Sequence, residues 1–320
     1  IRRPPRSTQG VSSAASDVYK RQLQEGYRTY FVRQSRRGRP STVPMIMASG
    51  PASHISMRFG LHGPTHTYSI ACASSTVAIG EAFRAIRDGY LDTALSGGAE
   101  AMLNDGSIAA WERLGVLASS HTDGPEASSR PFDLERTGFV LGEGAALLVL
   151  EAESALQERA VDPIAEIIGY GVSSDAFSLT EPHAAGQEAA MRSAITDADI
   201  EREEVQYVNA HATGTPSGDP IEIEAIKSIF EDHASNLAVS STKSVHGHLV
   251  GASGALETAI SAIALQKGRI PPTANLTHPD PSCDLDCVPE YGREAPELTV
   301  AISNSFAFGG SNATLVLRKV

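Results

Sequence analysis

The chain has 320 residues, 41% hydrophobic and 20% charged, the composition of a soluble globular protein with room for one large or two fused domains. Residues 1–40 carry ten Lys/Arg against two acids within a net charge of −12, so the body is acidic; this argues against general nucleic-acid binding but leaves a local basic patch free to meet an acidic protein. No apolar run approaches the roughly 18 residues of a membrane span, and the Arg-rich start lacks the apolar centre of a signal peptide. Three cysteines, Cys72, Cys283 and Cys287, are too few and too unevenly spread for a disulfide framework, so a reducing, cytoplasmic setting is expected.

Residues 1–22, IRRPPRSTQGVSSAASDVYKRQ, show no apolar period and resemble translated adapter or cloning sequence, so they are expected to be a non-native, unstructured tail. From about residue 40 short apolar runs alternate with helical stretches. Strands are expected at TALSGGAEA, AALLVLEA, IAEIIGYG, VQYVNAH, LAVSSTKS, TVAISNSF and ATLVLRKV; helices at Ser75 to Asp88, Gln187 to Asp197, Pro220 to Phe230 and Gly254 to Gln266. This is the pattern of an α/β protein whose sheets are covered by helices on their faces. Comparable small-residue turns at Cys72 and at Gly251 to Gly254 point to two related halves, 23–160 and 161–320.

YSIACASSTVAIGEA places Cys72 where a strand turns into a helix, and the dipole and free N–H groups there lower a thiol's pKa and favour a nucleophile. Taken alone, a free cysteine is more often a small buried hydrophobe. VNAHATGTPSGDPIE adds His211 at a strand end, with Thr213 and Thr215 in a Gly/Pro turn. KSVHGHLVGASGALE adds Lys243, His246, His248 and Glu257, so a thiol and two imidazoles come to strand ends, where α/β sites gather.

These segments, with SNSFAFGGSNATLVL, SRPFDLERTGFVLGEGAALLVLE and QKGRIPPTANL, resemble the β-ketoacyl-acyl carrier protein synthases of the elongating type II class, from about residue 40 to the C-terminus. The resemblance implies a thiolase-like, layered α/β/α/β/α fold of two related halves. It implies a decarboxylating Claisen condensation of a Cys-bound acyl chain with malonyl-acyl carrier protein, in fatty acid or polyketide synthesis. Carried over, it makes Cys72 the nucleophile, His211 and His248 the imidazoles that promote decarboxylation, and Lys243 with Glu257 their supporting ion pair. Thr213, Thr215 and Thr180 become ligands of the phosphopantetheine arm, and Phe308 a gating aromatic whose N–H joins that of Cys72 in an oxyanion hole. The implied partners are acyl carrier protein and a second copy of the chain, with no nucleic acid, no membrane insertion, no metal and no cofactor beyond the carrier's own phosphopantetheine. Arg36, Arg37 and Arg39 in SRRGRP are the expected carrier-protein dock.

Other readings have less support. A thiolase needs a second catalytic cysteine, where this sequence has Phe306 and Phe308, and a non-catalytic chain-length partner subunit has no use for Cys72, His211 and His248 together; an inactive fragment stays open as the outcome of an N-terminal truncation. GEGAAL lacks the third glycine of a dinucleotide fingerprint and reads as a close-packing turn. CDLDC with His278 lacks zinc-ligand spacing, so Cys283 and Cys287 read as loop thiols and His246 as a loop residue. Ala212 and Ala307 stand where the family pattern usually has glycine. Only 49 residues, 23–71, precede Cys72 once the tail is set apart, so the first half is expected to be N-terminally truncated.

Overall fold

Two mixed sheets with a layer of helices between them carry the chain, and the computed structural model describes residues 9–14, 20–34 and 40–320 of it. The first half runs β1 (Gln9–Ala14), α1 (Lys20–Tyr27), α2 (Thr42–Ile46), α3 (Gly50–Phe59), β2 (Thr65–Tyr68), α4 (Ser74–Arg87), β3 (Thr93–Glu100), α5 (Asp105–Leu114), β4 (Gly144–Glu151) and α6 (Glu153–Arg159). The second runs β5 (Glu166–Ser174), α7 (Ala184–Asp197), β6 (Tyr207–Asn209), α8 (Gly218–Phe230), β7 (Ala238–Ser240), α9 (Lys243–His246) and α10 (Ser253–Lys267). A two-stranded pair, β8 (Arg269–Ile270) with β9 (Arg293–Glu294), then precedes β10 (Val300–Ala307) and β11 (Ser311–Arg318).

The first sheet has the order β2-β1-β3-β4 and the second β5-β11-β10-β6-β7. In the first, β1 is parallel to β2 and β3 while β4 is antiparallel to β3; in the second, β6 is parallel to β7 and β10 while β11 is antiparallel to β10. The two halves therefore repeat one topology, β1, β2, β3 and β4 corresponding to β6, β7, β10 and β11. β5 extends the second sheet by pairing antiparallel with β11.

Helix α4 packs on β1 and β3 and also on β11, while α10 packs on β10 and β11 and also on β3 and β4, so this helix pair is shared by both sheets. With α3 on β1 and β2, and α7 on β5 and β11, the layers run helix, sheet, helix, sheet, helix. Burial on both faces explains why β10 and β11 read as nearly continuous buried runs. It also dictates small residues at the shared helices: a Cβ on Gly80 would enter the Tyr170 ring, and one on Gly254 would meet Thr76 Oγ1 and Ser305 Oγ.

β1 corrects the expectation that residues 1–22 lack structure. Gln9–Ala14 lies between β2 and β3, with Val11 opposite both Thr65 and Leu95. A strand flanked on both sides draws its hydrogen bonds from neighbours distant in sequence, so it needs no hydrophobic period of its own. Residues 1–8 and 15–19 of that stretch lie outside the described residues. The helices α1, α2, α3, α5 and α6 are further additions to the elements read from the sequence.

Candidate active site

The turn into α4 is built to present Cys72. Ala71 adopts a left-handed backbone with φ +43°, a conformation that costs a non-glycine residue about 1–2 kcal/mol and persists only where its surroundings fix it. Ser74 Oγ supplies that fixing by accepting from the Ile70 N–H at 2.7 Å and donating to the Ala71 carbonyl at 2.6 Å. Cys72 is buried, and burial pushes its thiol up to about 12; the Lys243 cation and the backbone N–H groups of Phe308 and Cys72 oppose that rise. The lowered thiol pKa expected from the helix terminus is thereby corrected, because desolvation of a charge outweighs partial charges at the helix end.

His248 Nε2 lies 3.0 Å from Cys72 Sγ, and Nδ1 lies 3.0 Å from Ser253 Oγ. The loop holding this ring is clamped to the GFVLGEG segment: the His248 N–H donates to the Val140 carbonyl at 2.7 Å, and the Gly142 N–H donates to the His248 carbonyl at 2.9 Å. Gly142 fits only without a side chain, since a Cβ there would approach the His246 carbonyl to 2.6 Å, which gives the GEGAAL segment its close-packing role. The Phe139 ring meets His248 edge-on at 5.3 Å.

His211 also meets this ring in a T-shaped contact, with centroids 5.3 Å apart and planes at 80°. Its position is set from beneath by Glu222, whose carboxylate accepts from the N–H groups of His211 at 2.9 Å and Ala212 at 2.7 Å and from Asn304 Nδ2 at 3.1 Å. Burial raises Glu222 to about 7 against those three donors. Ala212 is accommodated without a positive φ, as is Ala307, so neither methyl in a place usually held by glycine strains the backbone.

Lys243 and Glu257 form a buried ion pair beside these groups, at 1% and 0% side-chain exposure. Burial raises the Glu257 carboxyl and Lys243 opposes it. Burial and the same cation drive both His211 and His248 well below the ordinary imidazole range, so both rings are neutral at physiological pH.

A cavity of about 280 Å³ opens onto Cys72, His211 and His248. Thr213, Thr215 and Thr180 all line it; Thr213 Oγ1 donates to Thr215 Oγ1 at 3.3 Å, and Thr180 is exposed at the mouth. Phe308 also lines it, half-buried and stacked on Trp111 at 6.0 Å. Arg36, Arg37 and Arg39 lie outside the described residues. His246 ends α9, bonded to Gly247 O and Thr242 Oγ1 away from the cavity. Cys283 and Cys287 occupy irregular chain, yet both side chains are buried in the hydrophobic core of the second half, in the cluster that also holds Ile226, Val239 and Ile302. Sequence reasoning missed Glu222 and Ser253, whose roles depend on what the folded chain brings beside them.

Among the described residues, two groups bring three metal-capable atoms within 4.8 Å of one another: Cys72, His211 and His248, and the buried Asp133 with the exposed Glu135 and His278. In the second, Asp133 already accepts from the N–H groups of Thr277 and His278 and from Arg130. No helix among the described residues is long and apolar enough to cross a membrane.

Comparison with known proteins places this geometry. The family description "Beta-ketoacyl synthase, N-terminal domain" matches residues 5–155, and "Beta-ketoacyl synthase, C-terminal domain" matches 164–277. The chain is 43% identical over 298 residues to nodulation protein E of Rhizobium sp. (strain N33), covering 93% of this chain and 72% of that protein. It is 42% identical over 286 residues to 3-oxoacyl-[acyl-carrier-protein] synthase 2 of Staphylococcus aureus, covering 89% and 68%. Among solved structures, a β-ketoacyl synthase from Burkholderia phymatum superposes with a TM-score of 0.91 at 35% identity, covering 98% of this chain and 76% of that one. A type II polyketide ketosynthase, solved with its acyl-carrier protein and bound to a hexaketide, superposes at 0.94 with 29% identity, covering 98% and 78%.

Proposed function

The chain belongs to the β-ketoacyl synthase family, condensing enzymes of fatty acid and polyketide synthesis with a thiolase-like fold, and from that premise we propose how its own residues divide the reaction. Cys72 Sγ attacks the acyl thioester of a loaded carrier protein. The S–C bond to Cys72 forms, the bond to the carrier sulfur breaks, and the proton that leaves Sγ ends on the departing sulfur. The backbone N–H groups of Cys72 and Phe308 lie against Sγ, within reach of the carbonyl oxygen that becomes the oxyanion when Sγ bonds the acyl carbon; one such donor is typically worth about 10²–10³ in rate.

The malonyl-bearing arm of a second carrier protein then enters the same cavity, with Thr213, Thr215 and Thr180 along its wall for the phosphopantetheine. The neutral rings of His211 and His248 bond its thioester carbonyl as CO₂ leaves, so that the electron pair of the broken C–C bond is held as an enolate. Its carbon attacks the acyl-Cys72 carbonyl and breaks the S–C bond to Cys72, yielding a β-ketoacyl chain longer by two carbons; the released thiolate takes a proton from water and becomes the thiol again. Neutral imidazoles suit this step because each offers an N–H without carrying a proton that the carbanion could take. Burial keeps them neutral, the Lys243 field adds to it, and Glu257 balances the buried cation.

The reading includes acyl carrier protein as partner, supported by the solved relative captured with one. It also includes a homodimer, for which Phe59, Met57 and Tyr90 supply exposed apolar surface. The reaction as written needs no cofactor other than the carrier's phosphopantetheine, and a cytoplasmic setting suits its thiol chemistry. The observation that carries the proposal is the 3.0 Å approach of His248 Nε2 to Cys72 Sγ with the His211 ring beside it. Peptide mass spectrometry after incubation with acyl carrier protein thioesters tests it: the acyl group is expected on Cys72 alone. Acylation that persists in Cys72→Ala contradicts it.

A further inference from the structure

His248 is a neutral imidazole, so one ring nitrogen carries a hydrogen and the other is bare. Which is which decides what the ring can do at Nε2, the atom that faces Cys72 Sγ. The neighbour at the far side of the ring settles this. Ser253 Oγ, fully buried, has two partners among the described residues: the Leu249 N–H, which donates to it at 2.9 Å, and His248 Nδ1 at 3.0 Å. The Leu249 contact uses an oxygen lone pair, and buried hydroxyl hydrogens are almost always donated. Nδ1 is the acceptor within reach of this one.

The first half shows the same serine doing the other thing. Ser74 stands at the matching place at the start of α4, and its Oγ likewise accepts from the N–H four residues earlier, at 2.7 Å. Its hydrogen, however, goes to the backbone carbonyl of Ala71. Ser74 is therefore a purely local brace, whereas Ser253 combines the same brace with a contact to a ring of the site.

We infer that the Ser253 hydroxyl donates to His248 Nδ1 and so keeps the single proton of this imidazole on Nε2, facing Cys72 and the place where the malonyl thioester carbonyl would lie. Ser253 is thus a positioning residue: it touches no reacting atom and acts by selecting the tautomer that can bond an enolate. The inference rests on the proposed division of labour, in which His248 serves as an N–H donor during decarboxylation. Without the hydroxyl, Nδ1 has nothing to accept from and the ring can carry its proton on that side, which turns a lone pair toward the developing negative charge.

The test is ¹⁵N NMR of the full chain labelled at histidine, with the His248 signals assigned by their loss in His248→Gln. At neutral pH the unmodified chain is expected to show a bare Nδ1 and a protonated Nε2 for His248; a protonated Nδ1 overturns the inference without any variant being needed. Ser253→Ala is expected to move proton population to Nδ1 and to slow CO₂ release from malonyl carrier protein roughly tenfold, the worth of one hydrogen bond to a site that must be polarised. Ser253→Thr, which keeps the hydroxyl, is expected to return both readouts to within about threefold of the parent. CO₂ release at the parent rate from Ser253→Ala overturns the inference. A parent chain with Nε2 protonated but Cys72 never acylated contradicts the proposed function and leaves the tautomer assignment standing, so the two failures are separable.

Discussion

The helices α4 and α10, which meet between the two sheets, begin with the same turn but carry different chemistry. Ala71 and Val250 have φ of +43° and +44°, and Ser74 and Ser253 each accept from the N–H four residues earlier. At the residue that follows the left-handed one, the first turn has Cys72 and the second has Gly251, whose N–H donates instead to Glu100 Oε2 at 3.1 Å. A strained backbone device used twice thus presents a nucleophile in one half. In the other it aims a hydroxyl at an imidazole and leaves the nucleophile's position without a side chain. The repeated part is scaffold, and the half-reactions differ because the substituents on it differ.

Removing the charge that serves both halves breaks that arrangement most severely. Lys243→Met leaves Glu257 buried without its cation, and stability is expected to fall by about 3–5 kcal/mol, with recovery when Glu257→Gln is added. The sign with pH follows from the raised Glu257 pKa: the folded state holds its proton more tightly than the unfolded, so the loss is smallest below the ordinary carboxylate pKa and grows as pH rises through the folded value. Urea unfolding of the single and double variants at acidic and neutral pH checks both statements.

The contact between the paired helices gives a smaller effect. Gly254→Ala would drive a methyl group into Thr76 Oγ1 and Ser305 Oγ, and an overpacking cost of about 1–3 kcal/mol is expected. A thermal melt that matches the parent would mean the two halves are not seated against each other as described.

The mildest test sharpens the electrostatic side. Burial and Lys243 hold His211 and His248 neutral, so the acid limb of CO₂ release should lie well below pH 6.5, the ordinary imidazole value. Making both ion pair substitutions together, Lys243→Met and Glu257→Gln, takes away the cation that resists ring protonation, and the limb should move upward toward that value. A pH–rate profile for this double variant checks it, and an unmoved limb would assign the shift to burial alone.

Much of this was legible in the sequence. The apolar runs of β3, β4, β10 and β11 and the helix starts at Cys72 and Gly251 announce themselves locally, and Cys72, His211 and His248 stand in motifs whose order marks the family. What was not legible depends on neighbours supplied by folding. QGVSSA has no strand period, and β1 exists because β2 and β3 flank it. The Cys72 thiol is raised rather than lowered because burial is a tertiary property. Ser253 reads as an ordinary small helix-opening residue until His248 Nδ1 is placed beside it, and Glu222 as a surface helix acid until two backbone N–H groups converge on it.

The central claim is that the two halves divide the reaction, acyl transfer at the Cys72 turn and decarboxylation at the paired imidazoles. The direct measurement is to follow acylation of the protein and CO₂ release from malonyl carrier protein separately, in Cys72→Ala and in the double variant His211→Ala/His248→Ala. The account predicts that Cys72→Ala is never acylated yet still releases CO₂, while the double variant is still acylated but loses CO₂ release by at least about 10²-fold. If both folded variants lose both activities to the same extent, the division of labour is wrong.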